Sequence, residues 1–158
     1  MSDFTMRMAQ EGDCALILDF ICQLADYEKL SHQLVATEAG LRESLFGKRQ
    51  AEVVLAFAGD EPVGFALFFH NYSTFLGKAG LYLEDLFIRE HHRCKGYGRA
   101  LFAHLAVIAL ERGCERLDWW CLDWNQSAID FYARLGAVAM HEWTVYRLDT
   151  EAMEKLAK

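Results

Sequence analysis

The spacing of apolar residues changes along the chain and predicts the order of its elements. Alternating apolar and polar positions predict a first strand over Phe4–Met8. Asp13 offers an N-cap for a helix with apolar residues every three or four positions to about Lys29. A second helix is expected over Thr37–Phe46, with Gly47 as its stop. The chain therefore begins as strand, helix, helix.

From residue 52 onward the pattern favours strands. β-Branched and aromatic residues fill Glu52–Ala58 and Val63–His70, and Gly59–Pro62 between them has turn chemistry, which predicts a hairpin. A third long strand is expected over Ala79–Arg89. The remaining predicted elements are a helix around Leu101–Arg112 ended by Gly113, a strand over Arg116–Leu122, a helix over Ser127–Leu135 closed by Gly136, a strand over Ala137–Leu148 and a small helix over Glu151–Lys158. A meander of strands followed by alternating helices and strands predicts a mixed α/β sheet with helices packed on it.

Composition narrows the class of protein. With 158 residues, 53% of them hydrophobic, and with no linker-like stretch, residues 1–158 are expected to form a single domain. The formal net charge of -7 argues against nucleic acid as a partner, because phosphates require a basic face. The acidity favours a cationic partner, or serves only solubility. The absence of a long apolar run and of a secretory leader predicts a cytoplasmic protein with no membrane partner.

The cysteines do not indicate a structural site. They are five in number and never form CxxC, so neither a disulfide framework nor a metal site is predicted. Cys94 lies in a polar turn, where an exposed thiol is expected to be a bystander.

The candidate chemistry begins at a glycine turn, Arg93-Cys94-Lys95-Gly96-Tyr97-Gly98, directly before an apolar helical pattern. Glycines let the backbone approach a ligand, and the first amides of the helix are available to an anion such as phosphate. The alternative is a turn that merely joins a strand to a helix. The spacing matches neither the GxxxxGK[ST] nor the GxGxxG phosphate loop, which argues against an NTPase and a Rossmann dehydrogenase.

The same turn reads Arg-x-x-Gly-x-Gly and resembles the acetyl-CoA pyrophosphate loop of the GNAT acetyltransferase superfamily. Three further segments, LADYEKL at Leu24–Leu30, LYLEDLFI at Leu81–Ile88 and NQSAIDFYARLGA at Asn125–Ala137, resemble the diamine (spermidine/spermine) N-acetyltransferases and their thialysine-acetylating relatives. The resemblance spans essentially all 158 residues. It implies a GNAT fold with a mostly antiparallel, mixed sheet of six to seven strands and about four helices, and it implies a homodimer.

The resemblance also implies which residues hold acetyl-CoA. Backbone amides of the third long strand would lie along the pantetheine arm and polarise the acetyl carbonyl, and amides of the glycine turn would hold the pyrophosphate. Asn125 would hydrogen-bond the pantetheine arm, a role that is compatible with capping the helix that follows. The cofactor-binding set is Leu86, Phe87, Ile88, Arg93, Cys94, Lys95, Gly96, Tyr97, Gly98, Arg99, Asn125 and Ser127.

Two residues match the family's catalytic positions. Tyr132 would protonate the departing sulfur, because a phenol still carries its proton at neutral pH; the alternative is an aromatic residue packed under the sheet. Glu84 would contact the amine and take its proton, directly or through water. Its neighbour Asp85 either binds substrate or makes a structural hydrogen bond. Strand alternation predicts that these two carboxylates point to opposite faces.

Further acceptor contacts are implied at Tyr27, Glu28, Asp118, Trp119 and Trp120. Glu28 would pair with a remote ammonium, or is a solvated charge at a helix end. Alternation places the two adjacent tryptophans on opposite faces, so one of them is expected in the core or at a dimer surface. The resulting prediction is an acetyl-CoA-dependent transferase acting on a diamine or polyamine by direct attack, without a metal. Alternatives are a thialysine or lysine-like acceptor, and a GNAT module that acts on a protein lysine or senses acetyl-CoA.

Overall fold

The computed structural model describes residues 3–158. Its helices and strands, in chain order, are β1 Phe4–Met8, α1 Cys14–Tyr27, α2 Glu38–Leu41, β2 Glu52–Ala58, β3 Glu61–Ser73, β4 Lys78–Ile88, α3 Tyr97–Glu111, β5 Leu117–Trp119, α4 Gln126–Leu135 and α5 Thr150–Leu156. Residues up to Trp120 form one compact unit, and Cys121–Lys158 form a second. The single-domain organisation stays a prediction. Among residues 3–158, no helix has both the length and the apolar character that a membrane span requires.

The first unit is built on one sheet with the strand order β1-β2-β3-β4-β5. Neighbouring strands are antiparallel except for β4 and β5, which run parallel. The expectation of a mixed, mostly antiparallel sheet is therefore confirmed, and the fold is of the mixed α/β class. Residues 3–158 contain five strands, fewer than the six to seven expected. Their five α-helices agree in number with the apolar spacing, whereas the resemblance implied about four.

Helices cover both faces of the sheet because β2 and β3 have apolar residues on both sides. Phe20 of α1 stacks on Phe65 of β3 with the ring centroids 5.4 Å apart, at the centre of a cluster that also contains Phe87. On the other face Phe102 of α3 meets Trp119 of β5 edge-to-face at 4.9 Å. Two-sided burial explains why β2 has a nearly continuous apolar sequence rather than a simple alternation.

The expected helix over Thr37–Phe46 has two parts. Thr37 caps α2 by accepting a hydrogen bond from the Gly40 amide, and a π-helical turn over Arg42–Gly47 follows α2. Asp13 precedes α1 as expected, but its carboxylate does not cap that helix. It accepts instead from the Gln10 amide and from the Arg7 guanidinium, each at 2.7 Å.

The last expected strand, Ala137–Leu148, is not formed in the second unit. A turn interrupts it, where the Trp143 amide donates to the Met140 carbonyl at 3.2 Å. Periodicity predicts an extended backbone, but a strand also needs a partner for its peptide groups, and the sequence does not specify that partner. This missing strand accounts for most of the difference in strand count.

Candidate active site

β4 and β5 separate part-way along β4. Their parallel ladder joins only Leu81–Leu83 to Leu117–Trp119, and β4 then continues to Ile88 with β3 on one side. In the described part of the chain, residues 84–88 have no strand on their other side. An open strand edge presents peptide N–H and C=O groups that an extended ligand can bind. Leu86, Phe87 and Ile88, which the resemblance implies as contacts of the pantetheine arm, lie on this open edge.

A β-bulge occurs at the start of the open edge. Leu83 lies opposite Phe68 and Asp85 lies opposite Leu67, so Glu84 is an extra residue with no partner on β3. The alternation of side chains is interrupted where an extra residue is inserted. Strict alternation therefore does not apply here, and the expectation that Glu84 and Asp85 point to opposite faces stays a prediction.

The register shows which face the bulge serves. Leu67 and Phe69 of β3 share a face because they are two residues apart, and Leu67 packs against the α1 core cluster. Their partners on β4 are Asp85 and Tyr82. Tyr82 and Asp85 thus share the α1 face although they are three residues apart, and Glu84 is inserted between them.

Three carboxylates influence one another at this position. Burial, and then the negative charges of Glu84 and Glu28, raise the pKa of Asp85 to about 7. Burial, and then the charge of Glu84, raise the pKa of Glu28, which follows the last residue of α1. The structure therefore brings Glu28, Glu84 and Asp85 together. A group of carboxylates that repel one another is stabilised by a cation, and one of them exchanges a proton near neutral pH.

Aromatic rings continue this face of the sheet beyond the carboxylates. Tyr82 packs against Phe69 with centroids 4.9 Å apart and meets Trp120 edge-on at 6.2 Å. Burial and the charges of Glu84 and Asp118 raise the pKa of Tyr82 to about 12. Trp119 packs against α3 on the opposite face, so the structure does not bring it to the carboxylates. Sequence reasoning missed Tyr82 and Phe69, although Tyr82 could have been found from its position two residues before Glu84.

The glycine turn forms the start of α3. Gly96 has a φ of 86° and occupies the N-cap position, and Cys94 beside it has a φ of 61°. Gly96 has no side chain to cap the helix, and the first amides of a helix, at Tyr97, Gly98 and Arg99, have no intrahelical acceptor. The turn is exposed at Cys94–Gly96. Amide donors at a helix N-terminus, near exposed Lys95 and Arg99, fit a pyrophosphate.

Two side chains of the turn bind to the protein instead. The Arg93 guanidinium lies over the Tyr27 ring at 4.5 Å and over Phe87 at 5.4 Å, and its Nε donates to the Ile88 carbonyl at 2.9 Å. The Tyr97 ring stacks on Phe4 of β1 at 4.3 Å. Arg93 therefore ties the turn to the end of α1 and to the open edge of β4, and Tyr97 is left to contribute its backbone amide.

The other predicted site residues belong to the second unit. The Asn125 side chain caps α4 by accepting from the Ala128 amide at 3.3 Å, which is the capping alternative weighed from the sequence. Ser127 is exposed in the first turn of α4. Tyr132 is half-buried beside Phe131, with ring centroids 5.7 Å apart. The functional roles of Asn125, Ser127 and Tyr132 stay predictions.

Comparison with known proteins decides the family. The model of the acetyltransferase (GNAT) family matches residues 20–137. The chain belongs to the GNAT family. It is 38% identical to thialysine N-epsilon-acetyltransferase of Bos taurus, an alignment that covers 99% of each chain. It is 33% identical to L-ornithine N5-acetyltransferase NATA1 of Arabidopsis thaliana, over 97% of this chain and 87% of that protein.

A solved structure supports the same conclusion for the fold. The integron cassette protein VCH_CASS6 of V. cholerae superposes with a TM-score of 0.83 at 28% identity, covering 99% of this chain and 98% of the other. The GNAT fold and N-acetyltransferase activity expected from the sequence are therefore confirmed. GNAT enzymes use acetyl-CoA, and the glycine turn and the open β4 edge have the donors that such a ligand requires.

Proposed function

We propose that this GNAT enzyme transfers an acetyl group from acetyl-CoA to a primary amine of a small acceptor with two separated nitrogens. The observation that carries the proposal is the group of Glu28, Glu84 and Asp85 at the bulge, where the open edge of β4 begins. A cationic amine is the ligand that three mutually repelling carboxylates favour. Thialysine and other lysine-like amino acids fit this chemistry at least as well as the diamine or polyamine expected first from sequence.

Two groups of backbone amides would bind different parts of acetyl-CoA. The amides of Tyr97, Gly98 and Arg99 would hold the pyrophosphate, and the open edge at residues 86–88 would hold the pantetheine arm and the acetyl carbonyl. Acetyl-CoA supplies the acetyl group as a thioester. Arg93 positions the glycine turn and does not contact acetyl-CoA itself, because its guanidinium binds the backbone carbonyl of Ile88 on β4.

Proton transfer falls to the carboxylates and to Tyr132. An alkyl ammonium has a pKa near 10.4, so the amine must lose a proton before its lone pair can attack. The Glu84–Asp85 pair receives that proton, directly or through water, and the pKa of about 7 at Asp85 suits proton exchange near neutrality. Tyr132 gives its phenolic proton to the sulfur that leaves. The amine attacks the thioester directly, without an acyl-enzyme intermediate on a cysteine.

The proposed assembly is a cytoplasmic homodimer. Support comes from the second unit, where the segment 137–148 carries large apolar side chains that are exposed in the single chain: Val138, Met140, Trp143, Val145, Tyr146 and Leu148. Exposed apolar residues in this number are typical of an interface. Sedimentation velocity at micromolar concentration tests this assembly, and a monomer at all concentrations would contradict it.

The experiment that tests the function is product formation from acetyl-CoA with a panel of amines. Mass spectrometry should detect N-acetylated product with thialysine, lysine, ornithine, putrescine, spermidine or spermine. Glu84→Gln and Tyr132→Phe should each lower kcat about 100-fold or more while leaving the Kd for acetyl-CoA unchanged. The matched variants Glu154→Gln and Tyr72→Phe, both at exposed positions, should behave as wild type.

Two outcomes would contradict the proposal. Acetyl-CoA binding without acetylation of any small amine would favour a sensor or a protein-lysine acetyltransferase. Full activity of Tyr132→Phe would remove Tyr132 from the mechanism while leaving the acceptor assignment intact.

A further inference from the structure

An arginine–aspartate pair lies at the beginning of β5, where Arg116 precedes the strand and Asp118 is its middle residue. Asp118 lies opposite Tyr82, on the same face of the sheet as the carboxylate group. Arg116 Nε is 3.0 Å from Asp118 Oδ2, and each side chain is 41% exposed. The Asn71 side-chain amide also donates to Asp118 Oδ2 at 3.4 Å. Asp118 is close enough to Tyr82 to raise the pKa of that tyrosine. The pair is therefore at the aromatic part of the proposed acceptor site.

Gly80 leaves room for this pair because it has no side chain. A Cβ atom at Gly80 would overlap the Asn71 side-chain oxygen and would lie 3.2 Å from Arg116 Cγ. The side chains of Asn71 and Arg116 thus occupy the space that a side chain at Gly80 would fill. Both charged groups stay partly exposed to solvent, so a ligand can reach them.

We propose that Arg116 and Asp118 bind the α-carboxylate and α-ammonium groups of an amino-acid acceptor. This inference rests on the proposed function and names the substrate class for the same site. A cation and an anion side by side match a zwitterionic head group, in which both charges are attached to one carbon. The planar Arg116 guanidinium suits a carboxylate in particular, because its N–H groups can donate in parallel.

The distance along β4 fits a lysine-like side chain. Tyr82 lies opposite Phe69 and Asp85 lies opposite Leu67, two residues further along β3. At about 3.3 Å per residue, Asp85 is therefore about 7 Å along the sheet from Tyr82, which is the residue beside Asp118. Five bonds separate Cα of lysine from its terminal nitrogen, an extended span of about 6 Å. An acceptor held at Arg116 and Asp118 would therefore bring its terminal amine to the carboxylates, with its chain along Tyr82.

The pair also discriminates against diamines. A diamine has no carboxylate to contact Arg116, so its second ammonium would lie beside the Arg116 cation with Asp118 as the shared counter-ion. Like charges placed together disfavour a ligand. The structure thus favours ornithine, lysine or thialysine over putrescine or cadaverine.

Matched acceptors test this inference directly. Ornithine and putrescine have the same amines and methylene chain and differ in the α-carboxylate, as do lysine and cadaverine. Arg116→Gln should raise KM for ornithine and lysine at least tenfold, leave kcat within about twofold, and leave KM for putrescine and cadaverine unchanged or lower. Arg116→Lys should recover part of the loss, and Arg49→Gln, which changes another exposed arginine, should have no effect.

Equal changes for the amino acid and its diamine would overturn the inference, as would a wild-type preference for the diamines. Titration calorimetry measures the binding of lysine and cadaverine without turnover, so it distinguishes a failure of this inference from a failure of the proposed function. If no amine is acetylated but lysine binds wild type and binds Arg116→Gln at least tenfold more weakly, the head-group site stands and the transferase assignment to small amines fails. Circular dichroism and the Tm of each variant verify that it is folded.

Discussion

Asp85 gives the sharpest test of the electrostatics at the bulge. Its carboxyl group has a pKa of about 7 in the folded protein, against 3.8 for an ordinary aspartate. The folded state therefore binds this proton more tightly than the unfolded chain does. Stability is highest when the group is protonated in both states, and it is lost as the pH rises from about 4 to about 7. Asp85→Asn keeps the neutral form at every pH and should remove this loss.

The magnitude follows from linkage. A difference of about 3 pKa units corresponds to about 4 kcal/mol in the free energy of unfolding, of which about 2.5 kcal/mol falls between pH 5 and pH 8. The raised pKa of Glu28 acts in the same direction. Asp13 and Glu52 have lowered pKa values, so their contributions to the free energy of unfolding change mainly below pH 5. The advantage of Asp85→Asn over wild type should therefore grow by about 2.5 kcal/mol from pH 5 to pH 8.

Urea unfolding followed by circular dichroism at unit steps of pH measures this difference. Glu84→Gln should shift the loss of stability to lower pH without abolishing it, because it removes only one cause of the raised pKa of Asp85. Asp60→Asn, in the exposed turn between β2 and β3, should give a profile parallel to wild type. Parallel profiles for Asp85→Asn and wild type would refute the reasoning.

Three further changes probe the frame of the site. Gly96→Ala places a side chain at a φ of 86°, so it should cost about 1 kcal/mol of stability and raise KM for acetyl-CoA about tenfold, measured by urea unfolding and initial rates. Gly64→Ala should lower stability by about 2 kcal/mol or more in the same unfolding assay, because its Cβ would overlap a backbone carbonyl of β4, whereas Gly12→Ala has open space and should be neutral. Arg93→Ala removes the guanidinium from the Tyr27 ring and from a β4 carbonyl, so a loss of about 2 kcal/mol and weaker acetyl-CoA binding by calorimetry are expected; unchanged binding would limit Arg93 to stability.

The sequence predicted correctly those elements whose ends are marked by turn or capping residues close along the chain. β1 and β2 were predicted with the bounds that the structure shows, and Gly136 ends α4 with a φ of 86° as expected. The predicted β3 was too short, and the predicted strand over Ala137–Leu148 does not form. Both errors concern pairing, because the length of a strand depends on the neighbour with which it bonds.

The sequence by itself determined the class of the protein, since the Arg-x-x-Gly-x-Gly turn and the motifs around it require only residues that are close along the chain. The tertiary structure decided how the acidic residues act. Glu28 is more than fifty residues from Glu84, and its effect on the pKa of Asp85 exists only because α1 packs on the sheet. The β-bulge that interrupts alternation at Glu84 is likewise a property of the pairing between β3 and β4. Burial and charge repulsion depend on distance in space, and a sequence pattern does not contain that distance.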